Sequence, residues 1–262
     1  PQPRIFDPRS AKPSSSSMPE GLDPREMLVL ESPPPGPYGV PPADRDLEEL
    51  LQFGVIILDK PAGPTSHQVA SWVREAFGAD KAGHGGTLDP QVTGVLPIAL
   101  ERATRCVRAF LHAPKEYICV LELKRAVPEQ KVREALAQFV GPVWQLPPLE
   151  SAVKRELRLR HIYSIELMEI KENQVLFRVR CEAGTYIRNL CWDLGDLLAV
   201  GGHMAQLRRT ATGAFREDVS VDLIELRDAY EEWKETGDQE LLMPIIQAPE
   251  KLFDTMCRIV VR

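Results

Sequence analysis

The first residue able to do chemistry is Asp89, in the stretch "HGGTLDP" at residues 84–90. An Asp directly before a proline ordinarily opens a turn, because its short side chain bonds nearby N–H groups while Pro90 fixes φ. A carboxylate can also serve as a nucleophile or a general base if its neighbours keep it ionised and aimed. Gly83, Gly85, Gly86 and Gly94 flank it. They would let backbone come close to a bulky ligand, although turns alone also account for them. Arg188 falls in the first turn of an expected helix, where a cation opposes the macrodipole at about 0.3–1 kcal/mol. A buried carboxylate or a phosphate would compensate it; an exposed guanidinium tolerated at small cost is the other reading. Tyr117 and Tyr186 could be core residues or a platform for an unstacked RNA base. His84 could exchange a proton near neutral pH or act as a hydrogen-bonding prop.

These residues have to be positioned by elements whose signals are regular from Asp46 onward. "LEELLQFG" reads as a short helix ending at Gly54, and "VIILDKP" as an apolar strand stopped by Pro61. "PTSHQVASWVREAF" reads as a helix with Ser66 as N-cap and Val69, Trp72, Val73 and Phe77 on one face. "KEYICVLEL" (115–123) alternates as a strand, and Val132, Leu136, Phe139 and Val140 mark a helix after Pro128. "IYSIELMEI" and "QVLFRVRCEAG" form an expected hairpin about the 171–173 turn. "TYIRNLCWDLGDLLAV" spaces Ile187, Leu190, Cys191, Leu194, Leu197 and Leu198 as a helix, capped by Thr185. Strands and helices mix without βαβ alternation, so the expected class is α+β, a mixed, largely antiparallel sheet flanked by helices.

Composition bounds the function classes. At 262 residues, 44% apolar and 27% charged, the chain is globular and can bury a sizeable core. No apolar run reaches the ~18 residues of a membrane span, so a soluble, intracellular protein is expected. Five cysteines (Cys106, Cys119, Cys181, Cys191, Cys257) without a CxxC pair suit reduced thiols and make a zinc site improbable. G-x-x-x-x-G-K-[ST], G-x-S-x-G, H-E-x-x-H and a complete G-x-G-x-x-G are all missing. Nucleotide hydrolysis, dinucleotide redox chemistry and serine hydrolysis lose weight accordingly. The net charge of −6 divides into −4 over residues 1–53, +5 over 54–216 and −7 over 217–262. The basic middle peaks at "AVKRELRLR" (152–160), which is either a solvated face or a phosphate-contacting surface. Residues 1–43 hold 12 of the 23 prolines and read as an extended arm, with "EMLVL" (26–30) as an apolar handle.

Six blocks, "LDKPAGPTSHQV", "GHGGTLDPQVTGVLPIAL", "KEYICVLEL", "PPLESAVKRELRLR", "CEAGTYIRNLCWDLG" and "LRRTATGAF", together resemble the TruB-type pseudouridine synthases. Within that family the likeness is to the dyskerin branch of H/ACA ribonucleoproteins, on its archaeal side. The resemblance implies a pseudouridine synthase catalytic domain over residues 46–255, preceded by the arm at 1–45. It also implies that 256–262 begin a truncated PUA-like region. By position, Asp89 matches the catalytic aspartate, Tyr117 the ring that packs on the target uracil and Arg188 the guanidinium paired with that aspartate. His84 matches a residue holding the flipped-out nucleotide, and Tyr186 and Leu207 match pocket walls. Lys60, Lys154 and Arg208 match positions near the cleft or the RNA backbone, and Arg155 lies in the same basic stretch as Lys154. Gln91 and Leu146 stand where the branch usually has lysine and arginine, which shifts RNA affinity toward 152–160.

The implied activity is isomerisation of uridine to pseudouridine in guide-bound rRNA, with no metal or organic cofactor. Guide and substrate RNA and small H/ACA core proteins are the implied partners, and the cytoplasm of an archaeon is the implied compartment, or the nucleolus for a eukaryotic protein. A guide-independent tRNA T-loop synthase and a non-catalytic assembly scaffold are the rival readings. The pocket around Asp89 is expected to be dry.

Overall fold

The structure, a computed structural model, describes residues 40–148 and 154–255. Most of the proline-rich arm, the 26–30 handle, Cys257 and residues 256–262 lie outside the described residues. At the arm's end, Arg45 donates to both Glu250 carboxylate oxygens at 2.9 and 2.5 Å.

The apolar run of β1 (Val55–Lys60) pairs antiparallel with β3 (Thr93–Leu100). Both faces of this pair are covered, which is why the strands read as continuous rather than alternating. Ile56, Leu58, Leu96 and Ile98 pack with α1 (Leu47–Gln52), α2 (Ser66–Ala76) and α6 (Leu223–Thr236). Val55, Ile57, Val95 and Ala99 face the other way, onto Phe110, Phe215 and Leu252. Each such fully buried aliphatic side chain contributes about 1.5–3 kcal/mol.

The second half of the sheet alternates because helices cover only one face. In β4 (Lys115–Leu123) the side chains of Cys119, Leu121 and Leu123 are buried. They pack with β6 (Arg158–Lys171), β7 (Gln174–Cys181), α4 (Glu129–Gln138) and α5 (Ile187–Leu197). Strands β6 and β7 form the expected hairpin, with Glu172 at φ 55° in its turn.

The ten strands run β10-β1-β3-β8-β4-β7-β6-β5, with β2 (Ala82–His84) on β3 and β9 (Phe215–Arg216) on β8. β5 (Gly141–Gln145) and β10 (Ile246–Gln247) are the outermost strands of that order, and β8 spans Gly202–Thr212. Every pair of these strands is antiparallel except β3 with β8, where Thr93 aligns with Arg208 and Gly94 with Arg209. The two halves meet there. Gly94 has φ 104°, and a Cβ on it would lie 2.2 Å from the Arg209 carbonyl oxygen, so only glycine allows the junction. The largely antiparallel α+β expectation holds.

Four local expectations change. Thr65, not Ser66, is the N-cap of α2: its hydroxyl accepts from Gln68 N and the Gln68 side chain accepts from Thr65 N. Tyr186, not Thr185, occupies the N-cap position of α5; the Thr185 hydroxyl instead donates to Glu182 O at 2.7 Å. Leu197 is 47% exposed, at the margin of the α5 stripe. Val140 is exposed because α4 has already ended before it. Cys119, Cys181 and Cys191 are buried free thiols, and Cys106 is a partly buried one.

Candidate active site

Asp89 sits on the loop between β2 and β3, and Arg188 in the first turn of α5, 99 residues away in sequence. The Arg188 guanidinium donates to Asp89 Oδ2. The partner that the helix position of Arg188 called for is therefore a carboxylate. Because charge-assisted bonds of this kind are directional, the pair orients the acid.

The turn carrying Asp89 is held from beneath. Asp89 O accepts from Val92 N at 3.0 Å, closing the Asp-Pro turn. The Ser66 hydroxyl accepts from Leu88 N at 2.8 Å and lies 3.2 Å from Leu88 O, so freeing Ser66 from the cap position gives it this task. Lys60, with no exposed surface, donates to the carbonyls of Pro61, Pro90 and Val92 at 2.8, 3.0 and 2.9 Å. Burial holds its ammonium below the usual lysine range, as does repulsion from Arg209, while the charge of Asp89 opposes both.

Tyr117, Leu207 and Arg209 follow from strand register. Tyr117 on β4 lies opposite Arg209 on β8, and Cys119 opposite Leu207, so all project to the face that α5 covers. Tyr117 is partly buried, and desolvation pushes its phenol up; Asp89 lies close enough to add to that shift, whereas Arg209 counters it. Tyr186 is clamped by Gln145 in both directions: its N donates to Gln145 Oε1 at 2.8 Å, and Gln145 Nε2 donates to its carbonyl at 3.0 Å. His84, on β2, is partly buried with Nδ1 unpartnered among the described residues, and burial pushes its pKa down, followed by His67 and Arg209.

The remaining expected residues lie apart from this cluster. Lys154 and Arg155 are exposed, with Lys154 paired to Glu156. Arg208 donates to both Asp59 oxygens at 2.9 Å and to Glu217 at 2.9 Å, so its guanidinium is committed within the protein. These pairs raise it above the ordinary arginine value.

Two residues of the cluster were missed: Arg209, 1% exposed, and Lys115, 5% exposed. The Lys115 ammonium donates to Phe110 O, Leu111 O and Ala113 O at the end of α3 (Val107–His112). Despite those carbonyls, burial and then Arg209 push it down to about 7. Their signal was present as period-2 alternation: of the adjacent Arg208 and Arg209 only one can face the core. The expected dry pocket around Asp89 is not observed. Beneath the loop the cations are sealed, but the side chains of Asp89 and Arg188 are 52% and 29% exposed, because no described residue covers them from above.

Comparison with known proteins bears on this geometry. Residues 74–187 match the N-terminal domain of the TruB family of pseudouridylate synthases and 188–254 the C-terminal domain of tRNA pseudouridylate synthase B. Residues 17–70 match the DKCLD (NUC011) domain. Asp89 thus comes from one matched segment and Arg188 from the other. A "Probable tRNA pseudouridine synthase B" of Methanothermobacter thermautotrophicus is 52% identical over 224 residues, 86% of this chain and 69% of the relative. One from Thermococcus onnurineus is 52% identical over 226 residues, 86% of this chain and 68% of that protein. Among solved structures, a Cbf5-Nop10-Gar1 complex superposes with a TM-score of 0.82 at 48% identity, covering 88% of this chain and 73% of the matched one. An H/ACA RNP bound to a substrate RNA containing 2'-deoxyuridine gives 0.80 at 44% identity, over 89% and 73%.

Proposed function

The chain belongs to the TruB family of pseudouridylate synthases, and on that footing we propose that it isomerises uridine in RNA with Asp89 as the catalytic carboxylate. The carrying observation is the Asp89–Arg188 ion pair beside Tyr117. In the reaction the N1–C1′ bond breaks, the uracil turns, C5 joins C1′, C5 gives up its proton and N1 gains one. No external oxidant, reductant or metal is consumed. A stacked base hides those atoms, so the nucleotide is first flipped out onto the Tyr117 face. The exposure of Asp89 suits this order, since the flipped uridine itself forms the missing wall and excludes water as it seats. Asp89 then either attacks the sugar or base as a nucleophile or removes a sugar proton. Arg188 keeps it aimed. His84, Tyr186 and Leu207 line the nucleotide's path, and Lys154 and Arg155 offer exposed cations to phosphates.

Guide-dependent action on rRNA, within an assembly containing small core proteins of the Nop10 and Gar1 kind, is the preferred setting. It is supported by the 44–48% identity to chains solved in such complexes. The relatives named as probable tRNA pseudouridine synthases B favour tRNA as the substrate, and a guide-independent T-loop synthase is the second setting. A scaffold would need neither the ion pair nor the ring beside it.

The test uses full-length protein on two substrates: a guided target assembled with the core proteins, and bare tRNA transcript. Wild type should form pseudouridine on at least one, and Asp89→Asn should abolish it. Conversion of bare transcript alone would move the assignment to the second setting. Substantial activity of Asp89→Asn, or none in wild type, would overturn the catalytic reading.

A further inference from the structure

Arg209 is buried beside the candidate site and meets no carboxylate among the described residues. Its Nε donates to Val95 O at 2.7 Å and its Nη2 to Gly86 O at 3.1 Å, and Tyr117 stands opposite it in the β4–β8 pairing. Gly86 lies three residues before Asp89, on the same loop. At φ 135° it leaves space beside the guanidinium, and a Cβ there would sit 3.5 Å from Arg209 Nη1. One planar group therefore bonds the strand after the Asp89 loop and the loop itself, from the strand position that faces Tyr117.

This arrangement is costly for a fold that needed only stability. Removing a guanidinium from water without an anionic partner carries a penalty that an apolar side chain of similar volume avoids. The cost is compounded, since Lys60 and Lys115 lie near enough for Arg209 to repel both. A buried guanidinium with two buried lysines around it, next to the loop that carries Asp89, is an arrangement typical of functional sites rather than of cores. A lysine would supply the charge but not the planar fork that reaches two carbonyls in fixed directions.

We propose that Arg209 is a positioning residue for the isomerisation, setting the separation between the Asp89 loop and the Tyr117 ring so that both meet the uracil in one geometry. The inference rests on the roles given to Asp89 and Tyr117 above. Arg209 does not itself reach the RNA, being 1% exposed. Its loss should therefore act on the chemical step and spare affinity. Misplacing a reacting group by about 1 Å costs up to about 100-fold in rate.

The experiment measures single-turnover pseudouridine formation and RNA dissociation constants for full-length Arg209→Met, Arg209→Lys, Tyr117→Phe and the Arg209→Met/Tyr117→Phe double variant. The substrate is whichever of the two RNAs above the wild type converts. Arg209→Met should lose about 10- to 100-fold in rate with RNA affinity within about 2-fold of wild type. Arg209→Lys should recover part of that rate. In the Tyr117→Phe background the Arg209→Met loss should shrink to about 3-fold or less, because the two residues face each other across β4 and β8 and set one geometry. Full rate in Arg209→Met, additive losses in the double variant, or weakened RNA binding as the sole effect would each overturn the proposal. So would unfolding of both Arg209 variants, which would make the residue a fold determinant only. An inactive wild type on both RNAs would instead refute the parent assignment.

Discussion

Lys115 shows how one buried cation couples the site to stability. Its ammonium is held down to about 7 against an ordinary 10.5, by burial first and Arg209 second. Below pH 7 both folded and unfolded chains hold the proton, so the burial penalty is fully present. Between about pH 7 and 10.5 the unfolded chain keeps a proton that the folded chain has released, so this group makes stability rise with pH across that window. Urea melts of wild type and Lys115→Met from pH 6.5 to 9.5 should show the wild type gaining on the variant as pH rises. A constant gap would mean that the ammonium stays charged in the fold. Lys60 is shifted the same way by the same cause, which makes this response a property of the cation cluster.

Strands and turns set the distances among these side chains. The β3–β8 junction brings Gly94 against the Arg209 backbone, at a point where any Cβ would collide at 2.2 Å and φ is 104°. Gly94→Ala should therefore cost about 3 kcal/mol or more, from overlap added to left-handed strain. Gly63 has a similar φ, 112°, with nothing within 4 Å of its Cβ position, and Gly63→Ala should lose only about 1–2 kcal/mol. Equal losses in denaturant melts would show that strain, not packing, governs the junction. On the loop side, Ser66→Ala should cost about 1–3 kcal/mol, because Leu88 N is left buried without its acceptor, and amide exchange should quicken at Leu88.

Across the molecule the charge is uneven, with +5 over residues 54–216 inside a total of −6. The cations are of two kinds. Lys154 and Arg155 are exposed, and the Glu156 carboxylate paired with Lys154 is a single exposed partner that phosphate can replace, whereas the Arg208 guanidinium is spent on both Asp59 and Glu217. Plotting the logarithm of RNA affinity against that of salt concentration, Lys154→Ala and Arg155→Ala should each lower the slope by about 1. Arg208→Ala should leave the slope unchanged. A fall for Arg208→Ala equal to the others would mean that it exchanges its acidic partners for phosphate. Among the described residues no helix is long and apolar enough to cross a membrane.

Much of this was legible one residue at a time. Periodicity located β1, β4, the β6–β7 hairpin and α5, because local apolar spacing reflects which faces are covered. The position of Arg188 in a first turn called for an anion, and Asp89 meets that need. The choice of cap between Thr65 and Ser66 was not legible, since Ser66 is claimed by Leu88, 22 residues away. Nor was the division of labour between Arg208 and Arg209. Adjacent residues on a strand point to opposite faces, and which face is core depends on the register of β8 against β3 and β4, a long-range fact. Local chemistry left Asp89 between a turn and an active carboxylate and Arg188 between an anion partner and solvent, and the ordered motif blocks named them as a pair; pairing between distant strands determined which cations lie beneath them.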